Sequence, residues 1–211
     1  MSNWTWILGS LLVLGGSGPL AAAAADDDQR IKEIVVTAQK VSSTLMETPA
    51  AVSAFDSEQL ESAVIRDIND ISMLEPNLII SQELVSKVFL RGVGTENLTS
   101  GGDPGVALHV DGVYVARTSA ANFDLYDIER VEVLKGPQGT LYGRNATGGA
   151  INIISRAPTN DFGGDARVEF GNYDHIRVGG TLNLPLVDNK LLGRINVVHS
   201  RRDGYTKNYT T

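Results

Sequence analysis

Residues 127–156, DIERVEVLKGPQGTLYGRNATGGAINIISR, constrain the fold of this chain more than any other stretch. They open on a strand pattern, with Ile128, Val131, Val133 and Leu134 apolar and Glu129, Arg130, Glu132 and Lys135 charged. Gly136-Pro137 stops that strand, because proline has no N–H to give to a ladder. Glycines at 136, 139, 143, 148 and 149 let the backbone turn tightly and approach other backbone closely. Ala150 to Ser155 is almost wholly apolar and reads as a buried strand. Two strands joined by a glycine-rich crossover suit a small α/β unit that presents ionic groups to a surrounding wall. Gly143 to Gly148 has the spacing of a phosphate-binding loop, but Gly149-Ala150 stand where Lys-Ser/Thr is needed, so a nucleotide site is excluded.

IERVEVLKGPQGTLYGRNATGGAINIISR resembles the signature of the plug domain of TonB-dependent outer-membrane receptors. FLRGVG at Phe89–Gly94 and VALHVDGVYV at Val106–Val115 extend the resemblance in the family's order. It covers the chain from about Glu33 to its C-terminus. The fold it implies is an α+β plug, a small mixed sheet with short helices and long loops, followed by the first antiparallel strands of a transmembrane β-barrel. The expected division is a signal peptide over 1–25, a TonB box and linker over 26–48, the plug over 49–158 and the start of the barrel over 159–211.

The composition agrees with an exported protein. Residues 1–25 carry no charge, and Ile7–Leu14 is a short apolar run followed by the small residues Ala21–Ala25 that a signal peptidase accepts. That run is too short for a membrane-spanning helix, which takes about 20 apolar residues. The leader departs from the usual pattern in having no Lys or Arg near Met1. Cysteine is absent, which removes disulfides, thiolate nucleophiles and zinc–thiolate sites. A net charge of −7 argues against nucleic acid as a partner. His109, His175 and His199 stand apart without metal-ligand or nucleophile–base spacing, so neither catalysis nor a resident cofactor is expected.

Glu33–Lys40, EIVVTAQK, is a short extended segment able to add itself to the edge of another sheet. It resembles the TonB box, which implies that Glu33, Ile34, Val35, Val36, Thr37 and Ala38 pair with the periplasmic energy-coupling protein TonB. The residues alone also fit a first edge strand of the plug. Asp56 and Gln59 form a capping-box signal for a helix to about Ser62, and Ile68, Ile71 and Leu74 suggest a second helix over 68–74. Leu78–Ile80 and Val88–Leu90 read as strands, and Asp111-Gly112 as the turn of a hairpin over 106–115.

Polar loops at 81–87, 94–105 and 116–124 correspond to the plug's outward tips, placing Gln82, Glu83, Glu96, Asn97, Asp103 and Arg117 toward an incoming ligand. Arg91 and Arg130 read as strand residues. By resemblance they, with Glu132, belong to the ion pairs between plug and barrel, where a guanidinium fork suits a carboxylate.

From Asp165 onward, segments of about ten residues alternate apolar and polar, with turns at 171–174 and 187–190. A half-buried soluble sheet has the same alternation, and the preceding plug motifs favour a barrel. A barrel wide enough for a plug has about 22 strands, so three cannot close, and a longer receptor is expected. The resemblance implies a monomer, held in outer-membrane lipid by its barrel, that imports a scarce nutrient such as a ferric siderophore in a Gram-negative bacterium. The alternative is a free-standing plug-like periplasmic module without transport.

Overall fold

The computed structural model describes residues 34–37, 43–44, 51–82, 86–94, 102–116 and 124–204. The chain begins there with two short strands, β1 (Val35–Val36) and β2 (Ser43–Thr44), paired antiparallel as a ribbon. β3 (Val52–Asp56) leads straight into α1 (Ser57–Ser62). Asp56 caps that helix: Gln59 N donates to Asp56 Oδ1 at 2.9 Å, and Asp56 N donates back to Gln59 Oε1 at 3.3 Å. The helix expected over 68–74 is instead one 3₁₀ turn, Asp70–Met73. Asp67 and Asp70 explain the shortening, because their carboxylates bind nearby main-chain N–H groups and stabilise a tight turn over a continued helix.

β4 (Leu78–Gln82), β5 (Ser86–Leu90) and β6 (Val93–Gly94) make a small antiparallel sheet. The first two strands run further into the expected loop 81–87 than the sequence suggested, leaving 83–85 between them. β7 (Val106–Val110) and β8 (Val113–Tyr114) form the expected hairpin, with φ of 49° at Asp111 and 80° at Gly112.

The organising stretch supplies β9 (Ile128–Lys135), the one-turn α2 (Gly139–Tyr142) and β10 (Gly149–Ser155). The two strands are direct antiparallel neighbours, and β10's parallel partner is β7. The five-stranded order is β3-β9-β10-β7-β8. The main core lies on one face of this sheet, where Ile71, Leu78, Leu90, Val131, Val133, Ile151 and Ile153 are buried. The other face carries a smaller core of Ala54, Ala107, Leu134, Ala146 and Ala150.

A buried ion pair ties the 3₁₀ turn to the end of β9. Lys135 Nζ lies 2.8 Å from Glu75 Oε2. Burial pushes the Glu75 carboxyl up, but hydrogen bonds from Lys135, Ser53 and Asn77 outweigh it and bring its pKa to about 2. A depressed folded pKa stabilises the fold above the unfolded value of 4.5, and that stability is lost as pH falls toward 2. Glu75→Gln is expected to lower stability at neutral pH by about 2–3 kcal/mol and to flatten the acid limb. Amide-exchange protection of residues 70–78 against pH checks this; a variant that retains the wild-type slope overturns it.

β11 (Gly163–Gly171), β12 (His175–Val187) and β13 (Leu191–Arg201) follow as an antiparallel meander. Its polarity is inverted relative to a soluble sheet. Arg177, Thr181 and Asn183 are buried on its inner face, at 8%, 7% and 3% exposure, while Phe170 and Val197 are 78% and 67% exposed. Water would favour the opposite arrangement, so the outer face is made for lipid. Among the described residues no helix is long and apolar enough to cross a membrane.

Candidate functional site

Residues 34–37 are seated on the small-core face of the plug. Alternation along β1 leaves Val35 48% exposed and turns Val36 inward at 0%. The seat is built from small side chains: Ala54 of β3, Ala107 of β7, Ala150 of β10 and Ala146 of the glycine-rich connection, with Leu134 of β9. Ile34, Tyr114 and Tyr142 pack around it.

Thr37 then meets the charged residues of β9. Its N–H donates to Glu132 Oε1 at 2.7 Å and its hydroxyl donates to the same oxygen at 3.1 Å. Arg130 Nε donates to Glu132 Oε1 at 2.9 Å, and a terminal nitrogen of Arg130 reaches Thr37 Oγ1 at 3.3 Å. Arg130 also pairs with Glu129. Glu132 is fully buried and Arg130 nearly so. A buried carboxylate without a cation is strongly unfavourable, and Arg130 supplies that cation.

The second oxygen of Glu132 faces Asn152, whose Nδ2 lies 3.4 Å from Oε2 and 2.7 Å from the Tyr142 hydroxyl. Burial pushes the Tyr142 hydroxyl pKa up, and the neighbouring Glu132 charge adds to that rise. The His109 ring sits between Tyr142, edge-on at 5.1 Å, and Tyr114 at 5.5 Å. Asn145 Nδ2 donates to the Tyr114 hydroxyl at 2.7 Å and approaches Asp103 Oδ1 at 3.4 Å. A continuous run of polar and aromatic groups therefore connects Asp103 to Thr37.

Of the residues singled out in the sequence, Ile34, Val35, Val36, Thr37, Arg130 and Glu132 converge here. Glu33 and Ala38 lie outside the described residues. Arg91 is not a strand residue: with Gly92 it forms the turn between β5 and β6, at φ 52° and 78°, and it is exposed. Among the described residues Arg91 makes no ion pair. The partners described for Arg130 are Glu132, Glu129 and Thr37, all preceding the wall strands. Asp103 is exposed and bound by Arg144 at 3.2 Å. The main chain of Gln82 ends β4, whereas Glu83, Glu96, Asn97 and Arg117 lie outside the described residues.

Among the described residues, the contacts between the plug and these three wall strands are made by other residues, mostly with the charges reversed. Wall residue Arg177 engages plug residue Asp124, with Nε at 3.1 Å from Oδ2, and wall residue Arg194 grips plug residue Asp127 through two bonds of 2.6 Å. Arg66 of the plug meets Glu169 of the wall at 2.6 Å. At Gly179 a Cβ would lie 2.7 Å from the Tyr126 ring, so the plug rests directly on wall backbone there. An arginine on the polar face of a wall strand was the signal available in the sequence.

Residues 44–150 match the profile of the TonB-dependent Receptor Plug Domain, 107 of 211 residues. The chain is 32% identical over 201 residues to the pesticin receptor of Yersinia pestis, covering 93% of itself and 29% of that protein. It is 26% identical to the ferripyoverdine receptor of Pseudomonas aeruginosa, covering 92% of itself and 24% of the relative. Among solved structures, the ferric yersiniabactin uptake receptor FyuA from Yersinia pestis superposes with a TM-score of 0.65 at 30% identity, over 71% of this chain and 24% of that one. The chain thus spans less than a third of the length of these relatives. A plug sheet with its extended leading segment, resting on strands that are polar inside and apolar outside, places this chain in the TonB-dependent receptor family of the Gram-negative outer membrane.

Proposed function

We propose that the chain carries the plug and the coupling segment of an energy-coupled outer-membrane importer whose cargo is an iron complex, most simply a ferric siderophore. The single observation that carries this reading is the seating of Ile34–Thr37, an extended segment held on the plug by one socket and a few hydrogen bonds. Such a segment suits strand addition to TonB, and force applied to it acts directly on the plug. The names of the relatives, a ferripyoverdine receptor and a ferric yersiniabactin uptake receptor, support the cargo class. The apolar outer face of β11–β13 weighs against a free-standing periplasmic module. In this reading the tips around Asp103 meet cargo, and one copy of the chain acts alone.

Deleting Ile34–Ala38 from the complete receptor is expected to abolish uptake, by tenfold or more, while leaving surface binding of cargo within about twofold. A growth panel on iron-limited media first identifies the siderophore, and labelled ferric siderophore then reads both quantities. Loss of both, or of neither, counts against coupling through this segment.

A further inference from the structure

We propose that Glu132 is the latch of the coupling segment: its buried carboxylate, neutralised by Arg130, holds Thr37 against the plug and sets how often residues 34–37 leave their seat. The inference deepens the reading of these residues as the coupling segment and rests on it. Three observations carry it. Glu132 is fully buried, yet both hydrogen bonds donated by Thr37 end on one of its oxygens, at 2.7 and 3.1 Å. Arg130 touches both ends of that contact, at 2.9 Å from Glu132 and 3.3 Å from Thr37, so a guanidinium braces the carboxylate and the hydroxyl together. Among the described residues, the rest of the hold is Val36 in a socket made mostly of alanines, with Ile34 packed against it, and a two-pair ladder to Ser43 and Thr44.

The latch also competes with strand addition. A backbone N–H serves one strong acceptor at a time. A partner strand running along the edge that carries the Thr37 N–H must displace Glu132. One running along the β2 edge must displace Ser43–Thr44. The plug's own carboxylate thus occupies a main-chain donor that a strand arriving on that edge needs, and capture there depends on its release. Glu132 acts here as a positioning residue.

The test uses the full-length receptor in outer membranes, with Val36→Cys as reporter. This chain has no cysteine of its own, and position 36 is fully buried while the segment is seated. Maleimide labelling, followed by mass spectrometry on the peptide that carries residue 36, therefore reads unseating. Glu132→Gln keeps an acceptor but removes the charge, and is expected to raise the labelling rate about tenfold or more. Thr37→Val, which alters only the segment's side of the latch, raises it less but in the same direction. Ile151→Cys, in the main core at 1% exposure, must stay unlabelled in the Glu132→Gln background. Labelling of Ile151→Cys there means that the plug as a whole has loosened, and the latch is rejected. Should Glu132→Gln fail to assemble, Thr37→Val decides. An unchanged rate in Thr37→Val together with either an unchanged rate or failed assembly in Glu132→Gln overturns the proposal. Binding of TonB's periplasmic domain is measured in parallel. Faster labelling with unchanged TonB binding keeps the latch and rejects the coupling role of residues 33–38.

Discussion

Gly149→Ala is expected to destabilise the plug by about 3–5 kcal/mol. Gly149 starts β10 at φ +147°, a conformation that L side chains rarely adopt. A Cβ at this position would lie 2.1 Å from the Leu134 carbonyl oxygen and 2.6 Å from Leu90 Cδ2. The first of these is backbone of β9, so relief requires the central pair of strands to separate. β10 lies between β9 and β7, and the damage reaches both neighbours. Gly139→Ala is the matched control, because nothing lies within 4 Å of its Cβ position and it begins a helical turn. Amide exchange across β9 and β10 in the full-length receptor reads the difference. If Gly149→Ala protects these amides as well as Gly139→Ala does, the close approach of the strands is not what the structure describes.

The second large effect concerns the mooring of plug to wall. The Asp127 side chain is 5% exposed and accepts two bonds of 2.6 Å from Arg194, with Arg156 at 4.0 Å. Removing one partner of such a pair leaves a buried charge with weak compensation. Arg194→Met should therefore cost about 3 kcal/mol in plug retention, whereas Asp127→Asn combined with Arg194→Met should recover much of it, since neither charge is then stranded and Asn tolerates the φ of 59° at this position. Urea release of the plug, followed by exchange of plug amides, gives the four corners of the double-mutant cycle. A single variant within about 1 kcal/mol of wild type, or a double variant worse than the single, would show that Arg156 already satisfies Asp127.

Features set by neighbouring residues could be read from the sequence. The Asp56–Gln59 capping box and the Asp111-Gly112 turn lie where the residue types put them, because each is closed by groups at most three positions apart. The period-two alternation after Asp165 located the wall strands within a few residues, although only the structure gave the sense of their faces. Two errors were local. The 68–74 pattern had helical apolar spacing, but Asp67 and Asp70 bind the main chain and limit it to a 3₁₀ turn. Arg91 precedes a glycine, and that pair makes a turn with the same φ signs as Asp111-Gly112.

The remaining features were long-range. Thr37 and Glu132 are 95 positions apart, and the Val36 socket collects residues from 54 to 150, so no window of sequence contains the site. The plug–wall contacts pair Asp124 with Arg177 and Asp127 with Arg194 across more than fifty positions. Carboxylates and guanidinium groups were visible in both halves of the chain, but which half contributed which sign depended on three-dimensional register.

The inverted polarity of β11–β13 has a geometric consequence. β12 is 13 residues long, and at about 3.3 Å per residue with a tilt of about 45° it rises about 30 Å. The 11 residues of β13 rise about 25 Å on the same footing. Those heights match the hydrocarbon layer of a bilayer, so strands of this length cross it, and the plug, gripped through Asp124 and Asp127, is held at their level.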